Sequence, residues 1–332
     1  MKAKVQARVH SSKKTKLEDV IPLSTPFSVH IDPCSLCNFR CKFCFQADTE
    51  AIKAKGLKLG YMEMDLFKKV VDDLTAFDQK MRKVKLGLHG EPTMHPKLPE
   101  MIAYIHSKNV AEIIEVFTNG YLLNPDLNKK MIDAGLKRIN ISVEGLTSEQ
   151  YKEMTGVAVD MEKFVRNIKN LYEVRGDCRI YVKIVDNNFS EQEKKSFYAT
   201  FGNICDEIYI ENVVPQWTEA NKFGLGEKGM YGQKITKYKY VCPFLFMYMH
   251  FNFDGTVSGC TLDWPKEVLI GDATRESALE IWQGDRLRGL QIAHLEKKRS
   301  QIPLCDKCMA PMVCCFEDLD DHAEELLKRI RK

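Results

Sequence analysis

The stretch Cys34-Ser35-Leu36-Cys37-Asn38-Phe39-Arg40-Cys41-Lys42-Phe43-Cys44-Phe45 decides how this chain is read. It sets Cys37, Cys41 and Cys44 in a C-x3-C-x2-C array directly behind a β-branched run, Phe27 to Pro33. The spacing follows neither a helix nor a strand period, so the array sits on a loop. Four-iron clusters usually take four thiolates, and three leave one iron open to a substrate or cofactor. An open metal position is what separates a catalytic site from a closed structural one. Cys34 keeps a second reading available, since four cysteines within eleven residues can also close a tetrahedral zinc site.

Outward from this loop the pattern alternates short β-branched runs with helical stretches, as in βα units around a parallel sheet. Six strands are expected: Phe27 to Pro33, Val84 to His89, Ile113 to Asn119, Arg138 to Glu144, Arg179 to Asp186 and Glu207 to Val213. Met64 to Phe77 carries Leu66, Phe67, Val70, Val71 and Leu74 at helical spacing. Asn124 and Pro125 read as a helix N-cap and first turn, and Gly135 as that helix's end. Each strand splits by parity into an apolar and a polar face. His30 and Asp32, Lys85 and His89, Glu115 and Asn119, Lys183, and Glu211 fall on the polar side. Buried parallel strands normally read as continuous apolar runs, so a polar second face implies a wet lumen. Six units predict a partial barrel whose interior binds polar ligands at the strand C-terminal ends; an open sheet with one solvated face is the alternative.

Composition narrows the classes. Apolar residues make up 44% and charged residues 29% of the 332, which excludes disorder and collagen. The longest apolar stretch, around Val241 to Met249, is far short of the roughly 20 residues of a spanning helix, so no membrane partner is expected. Residues 1–16 carry six Lys/Arg and no acid, but no apolar segment follows as in a secretory signal; 1–24 is read as a frayed basic tail. A net charge of +3 offers no electrostatic case for nucleic acid. Twelve cysteines without an export signal point to metal or redox chemistry in a reducing, cytoplasmic setting rather than to disulfides.

The cysteines resume beyond residue 240. Cys242 and Cys260 frame a hairpin with Gly255 at its Asp-Gly tip, and Cys305 and Cys308 form C-x2-C, followed by Cys314 and Cys315. Two pairs make four ligands, for zinc or for a second iron-sulfur cluster. Residues 216–240 hold four glycines and little periodicity and read as a linker or lid. Residues 319–332 run acidic then basic and read as a plain surface helix.

Three further strands end in polar turns: His89-Gly90-Glu91-Pro92, Phe117-Thr118-Asn119-Gly120 and Ser142-Val143-Glu144-Gly145. The first offers carbonyls and a carboxylate for an ammonium group, the other two acceptors for a ribose. With the cysteine loop on the first strand, residues 25–215 resemble the radical S-adenosylmethionine (SAM) superfamily, whose loop holds a 4Fe-4S cluster on a partial (β/α)6 barrel. The resemblance implies that Cys37, Cys41 and Cys44 bind three irons while SAM chelates the fourth. Phe43 then lies near the adenine, and Gly90, Glu91 and Pro92 form the turn that holds the methionine amino group, with His89 replacing the family's usual first glycine. Asn119, Ser142 and Glu144 fall where the ribose is contacted, and Lys183 where the carboxylate is met. Cys34 lies outside the family motif, as a buried bystander.

Residues 241–318 resemble the SPASM and shorter twitch extensions behind such cores. The resemblance implies one auxiliary 4Fe-4S cluster on Cys242, Cys260, Cys305 and Cys308. A second is not expected, because Asp318 stands where the longer version has a cysteine. Cys314 or Cys315 is an extra ligand, a hydrogen-atom donor near the substrate, or a buried thiol. The expected fold is therefore α/β, a partial barrel followed by a small cysteine-rich domain with a β-hairpin. The expected activity is reductive cleavage of SAM to a 5′-deoxyadenosyl radical that takes hydrogen from a small polar, sugar-like substrate. An electron donor such as flavodoxin or ferredoxin is implied, and the auxiliary cluster assists oxidation. Lys85, His89, Glu115 and Glu211 are candidate substrate contacts. The alternatives are ribosomal-peptide modification, with the peptide delivered by a separate protein, and a non-catalytic zinc or iron-sulfur protein.

Overall fold

Strand after strand, β-branched residues alternate with polar ones, and the chain resolves that alternation by covering one face with helices and curling the other around a lumen. The computed structural model describes residues 1–9, 15–217 and 226–332. The strands are β1 (Lys4–Val5), β2 (Ser28–Ile31), β3 (Met81–Leu86), β4 (Ala111–Thr118), β5 (Arg138–Val143), β6 (Arg179–Asp186), β7 (Glu207–Asn212), β8 (Tyr248–Phe251), β9 (Thr256–Ser258) and β10 (Leu269–Asp272). They form one ten-stranded sheet in the order β1-β7-β6-β5-β4-β3-β2-β8-β9-β10. Pairing is parallel from β1 through β8 and antiparallel for β9 and β10.

The six expected strands are β2 to β7. Their outward residues, such as Ile139, Ile141 and Val143 on β5, are fully buried beneath helices. Helix Met64–Asp73 contributes Phe67, Val70 and Val71, and helix Met161–Val174 contributes Phe164, Ile168 and Leu171. Asn124 caps helix Pro125–Asp133, accepting from the Asp126 and Leu127 amides, and Gly135 lies just beyond its end at φ +97°. Among the described residues no helix is long and apolar enough to cross a membrane.

Three expectations are corrected by packing over long sequence distances. The N-terminal residues are not frayed: Lys4 and Val5 pair with Glu207 and Ile208 of β7, and Ala3 is buried. Residues 10–14 of that tail lie outside the described residues. The expected hairpin is present, and β8 joins it to the barrel by lying alongside β2 in register from Ser28↔Tyr248 to Ile31↔Phe251. Helix Ala323–Ile330 is more than a surface helix. It buries Ala323, Leu326 and Ile330 in a second core with Leu17 and Ile21, and Arg329 donates to the Glu18 and Ile21 carbonyls. In the proposed linker, residues 218–225 lie outside the described residues. The part from 226 is tied down instead, with the Asn212 amide donating to Met230 (2.9 Å) and the Met230 amide to Val313 (2.8 Å).

Candidate functional site

The loop after β2 turns its cysteines into the upper lumen. Cys37, Cys41 and Cys44 line a cavity enclosing about 1240 Å3 of space continuous with solvent, together with Phe43, Gly90, Glu91, Asn119, Ser142, Glu144 and Lys183. Of the sequence-derived candidates for this site, only Pro92 stays out of the wall, buried behind it at the start of a 3-10 turn. Burial pushes all three thiols up, Cys37 to about 11 and Cys44 to about 12. They therefore stay protonated until a metal displaces the proton. Cys34 points elsewhere. It is fully buried, and its thiol donates to the Glu91 carbonyl at 3.1 Å.

Gly90 fits this corner because a Cβ there would lie 2.4 Å from the Cys34 carbonyl oxygen. The close approach lets the Glu91 amide donate to Leu36 at 2.8 Å, locking the turn onto the cysteine loop. Glu91 itself acts as a clamp. Its carboxylate accepts from the Thr93 amide (3.0 Å), the Thr93 and Thr118 hydroxyls (2.6 and 2.7 Å) and the Asn119 amide (2.7 Å). These bonds hold the end of β4 against the loop. Asn119 is similarly committed, its amide bonded to Asn38 at 2.8 Å. Ser142 and Glu144 are different, with no hydrogen bond or ion pair on their side chains among the described residues, and both face the cavity. Burial raises the Glu144 carboxyl to about 7 despite nearby Lys183. Lys183 pairs with Glu211 at 3.4 Å and lies 6.0 Å from the Phe43 ring centre.

His89, the departure from the family's glycine, joins the two halves of the molecule. Its Nε2 donates to the Thr261 carbonyl at 3.0 Å, next to Cys260, and its Nδ1 lies 3.2 Å from Asp32. His250 on β8 donates to the same Asp32 oxygen at 2.8 Å. Burial alone would raise Asp32, but the two imidazoles win and hold it well below the usual carboxylate range. The trio has metal-ligand chemistry, with ligand atoms within 4.8 Å of one another. Its short contacts converge on one carboxylate, as a hydrogen-bond hub does. Phe45, from the cysteine loop, stacks on Trp264 at 5.2 Å and completes the junction.

Beyond the junction, Cys242, Cys260, Cys305 and Cys308 line one apolar cage of about 480 Å3 with His294 and Arg299. Arg299, 1% exposed, donates to the Cys305, Cys308 and Lys239 carbonyls and pins the C-x2-C turn. His294 accepts from the Cys242 amide through Nδ1 at 3.1 Å. Burial and Arg299 push it down to about 3, so it is neutral and carries its proton on Nε2. Among the described residues that buried donor has no hydrogen-bond partner. An orphan donor beside four thiols fits an iron-sulfur cluster, whose sulfurs accept hydrogen bonds. Cys314 and Cys315 lie outside the cage and line the lower lumen, where the Cys315 thiol donates to Glu317 at 2.9 Å. Sequence reading missed Arg8, Gln46, Tyr231 and His294. Gln46, for example, bridges the loop to the motif by donating to the Ser35 and His89 carbonyls at 2.8 and 2.6 Å.

An open three-cysteine cavity and a closed four-cysteine cage on one partial barrel define a class. The chain belongs to the radical SAM superfamily, whose family model matches residues 31–193, and the SPASM iron-sulfur cluster-binding domain matches residues 242–309. Members are enzymes, and these matches imply a 4Fe-4S cluster with SAM together with auxiliary iron-sulfur binding. A probable GTP 3′,8-cyclase from Metallosphaera sedula is 38% identical over 181 residues, 54% of this chain and 53% of that one. The chain spans about half the length of the curated relatives it matches. Among solved structures, BtrN in complex with AdoMet and 2-DOIA has a TM-score of 0.56 at 14% identity, covering 88% of this chain and 96% of BtrN. Streptococcus suis SuiB bound to S-adenosylmethionine has a TM-score of 0.65 at 15% identity, covering 93% and 76%. Both are similar in fold.

Proposed function

We propose that this chain is a radical SAM enzyme that takes a hydrogen atom from a small polar substrate held in the lumen. When bound and reduced, the first cluster with SAM supplies a 5′-deoxyadenosyl radical. The single observation that carries this reading is the shared cavity: Cys37, Cys41 and Cys44 open into the same space as Ser142, Glu144 and Lys183. In the proposal the three thiolates hold iron, Gly90 lets the turn approach, and Glu91 fixes that turn through β4. Ser142 and Glu144 offer uncommitted oxygens to a ribose, and Lys183 a cation to a carboxylate. Selectivity then comes from positioning rather than acid-base catalysis.

One auxiliary 4Fe-4S cluster on Cys242, Cys260, Cys305 and Cys308 would accept an electron, favouring oxidation over return of hydrogen. The first electron would come from a small donor such as flavodoxin or ferredoxin. Relatives named GTP 3′,8-cyclase support a small-molecule substrate over a peptide. The test is anaerobic. The reconstituted chain should hold about eight irons, four per cluster, and form 5′-deoxyadenosine with dithionite and SAM. Zinc in place of iron, or iron with no cleavage of SAM, would overturn the reading.

A further inference from the structure

The lumen is polarised by charge along its axis. The upper cavity, around the cysteine loop, has two cations, Arg8 and Lys183, against three carboxylates, Glu91, Glu144 and Glu211. The lower cavity takes in about 2140 Å3 of space continuous with solvent and has seven Lys/Arg side chains on its wall against three glutamates. Most of those cations are occupied. Lys83 and Arg138 pair with Glu115 at 3.3 and 3.0 Å, and Arg179 lies 3.7 Å from Glu207. Arg82 donates to the Thr15 hydroxyl and lies over the Phe27 ring, and Lys4 is exposed.

Two cations face the lumen with no carboxylate in ion-pair range among the described residues, although Glu115 acts on both from farther off and Glu211 on Arg8. Arg8 enters directly after β1, its amide donating to the Tyr181 hydroxyl at 3.1 Å, and its side chain lines both cavities. Its guanidinium lies 5.1 Å from the Phe117 ring centre and, among the described residues, makes one hydrogen bond, to the Tyr231 hydroxyl at 2.9 Å. A guanidinium has five donors in a planar fork, so most of this one is unused. Lys85 is 8% exposed, and among the described residues its amine meets the His30 Nε2 at 3.3 Å and the Tyr248 ring at 4.9 Å. Burial pulls it down to about 7 despite Glu115 nearby, the mark of a lysine short of a counter-ion.

We infer that Arg8 and Lys85 form an oxyanion subsite, so that the substrate of the proposed reaction carries a carboxylate or phosphate group held in the lower lumen. The inference rests on the lumen being the substrate chamber, and it adds the substrate's charge and its orientation. An anionic end bound by Arg8 and Lys85 leaves the other end of the molecule directed toward the cysteine loop. Arg8 is suited to the junction because a guanidinium fork matches both carboxylate and phosphate geometry.

The test needs no turnover. The full chain, reconstituted with iron and sulfide and saturated with SAM, is titrated calorimetrically with inorganic phosphate and, separately, with glucuronate. Saturable binding of at least one is expected, weakened tenfold or more in Arg8→Gln and in Lys85→Met, with part of the loss restored in Arg8→Lys. Binding of phosphate alone assigns a phosphorylated substrate, and of glucuronate alone a carboxylated one. No saturable binding of either by the wild-type chain overturns the subsite, as does binding undiminished in both variants. Iron content equal to wild type certifies each variant's fold. A wild-type chain that forms 5′-deoxyadenosine but binds neither anion would sink this inference while leaving the radical SAM reading standing.

Discussion

The two cysteine sites are built from the same ligand and differ in almost everything else. The first sits on a loop, has three thiols, and opens into a polar cavity of about 1240 Å3. The second draws its thiols from a hairpin and a C-x2-C turn, and encloses about 480 Å3 walled by Phe244, Leu245, Leu262, Val268, Leu290 and Leu304. The open site surrounds its thiols with uncommitted polar groups that a ligand can use. In the closed one, among the described residues, the buried nitrogen donor without a partner is His294 Nε2. The contrast is that of a centre which exchanges ligands with one which retains them.

The largest effects should come from removing thiols. Cys41→Ala should abolish 5′-deoxyadenosine formation while the auxiliary iron stays; retained cleavage of SAM would break the assignment of the open site. Cys305→Ala should roughly halve the iron, from about eight to about four, and leave dithionite-driven cleavage measurable. Loss of all the iron would show that the two sites assemble as one.

Glu144 gives a pH-dependent contrast. Its folded value, about 7, exceeds the ordinary 4.5. A carboxyl raised in this way contributes stability below its unfolded value and loses it as pH rises through the folded one. In the metal-free chain, Glu144→Gln should therefore gain on wild type between pH 4.5 and 8, by at most roughly 3 kcal/mol, read from urea midpoints. A flat difference would mean that Glu144 has found a counter-charge. His294, pushed down from an ordinary 6.5 to about 3, should show the opposite slope: below pH 6.5 the unfolded chain takes up the proton first, so its presence costs stability as pH falls from 6.5 to 4.5 and not above that.

A smaller shift is expected in the cage. His294→Phe removes the orphan donor and should lower the auxiliary cluster's midpoint by roughly 40 mV, about 1 kcal/mol for one electron, in an EPR-monitored titration. An unchanged potential would place the Nε2 proton away from the cluster. The smallest effect belongs to Cys314 and Cys315, whose double replacement by Ala should leave iron content unchanged. Iron lost there would move one of them into the ligand set.

The open site was legible from the sequence because its parts are local: one loop and three strand-end turns, each readable within a few residues. The closed site was half legible. Its cysteines announce themselves, but His294 lies in the second half of helix Asp285–Leu295 with nothing around it to mark a cage. Arg8 was read as tail because β1 is two residues long and its partner strand lies some two hundred residues away. The trio Asp32, His89 and His250 is invisible for the same reason, since β3, β2 and β8 become neighbours only in the folded sheet. Nor does the motif show that four donors already surround the Glu91 carboxylate.

The parallel seam between β2 and β8 bears on how this molecule can be divided. A cut near residue 240, at the apparent boundary between barrel and extension, would strip β8 from Ser28–Ile31, whose four residues are buried in the intact chain. The remnant would present a bare edge strand, open to pairing with another copy. An expression fragment ending there should be prone to self-association, so the barrel and its extension are best handled as one indivisible piece.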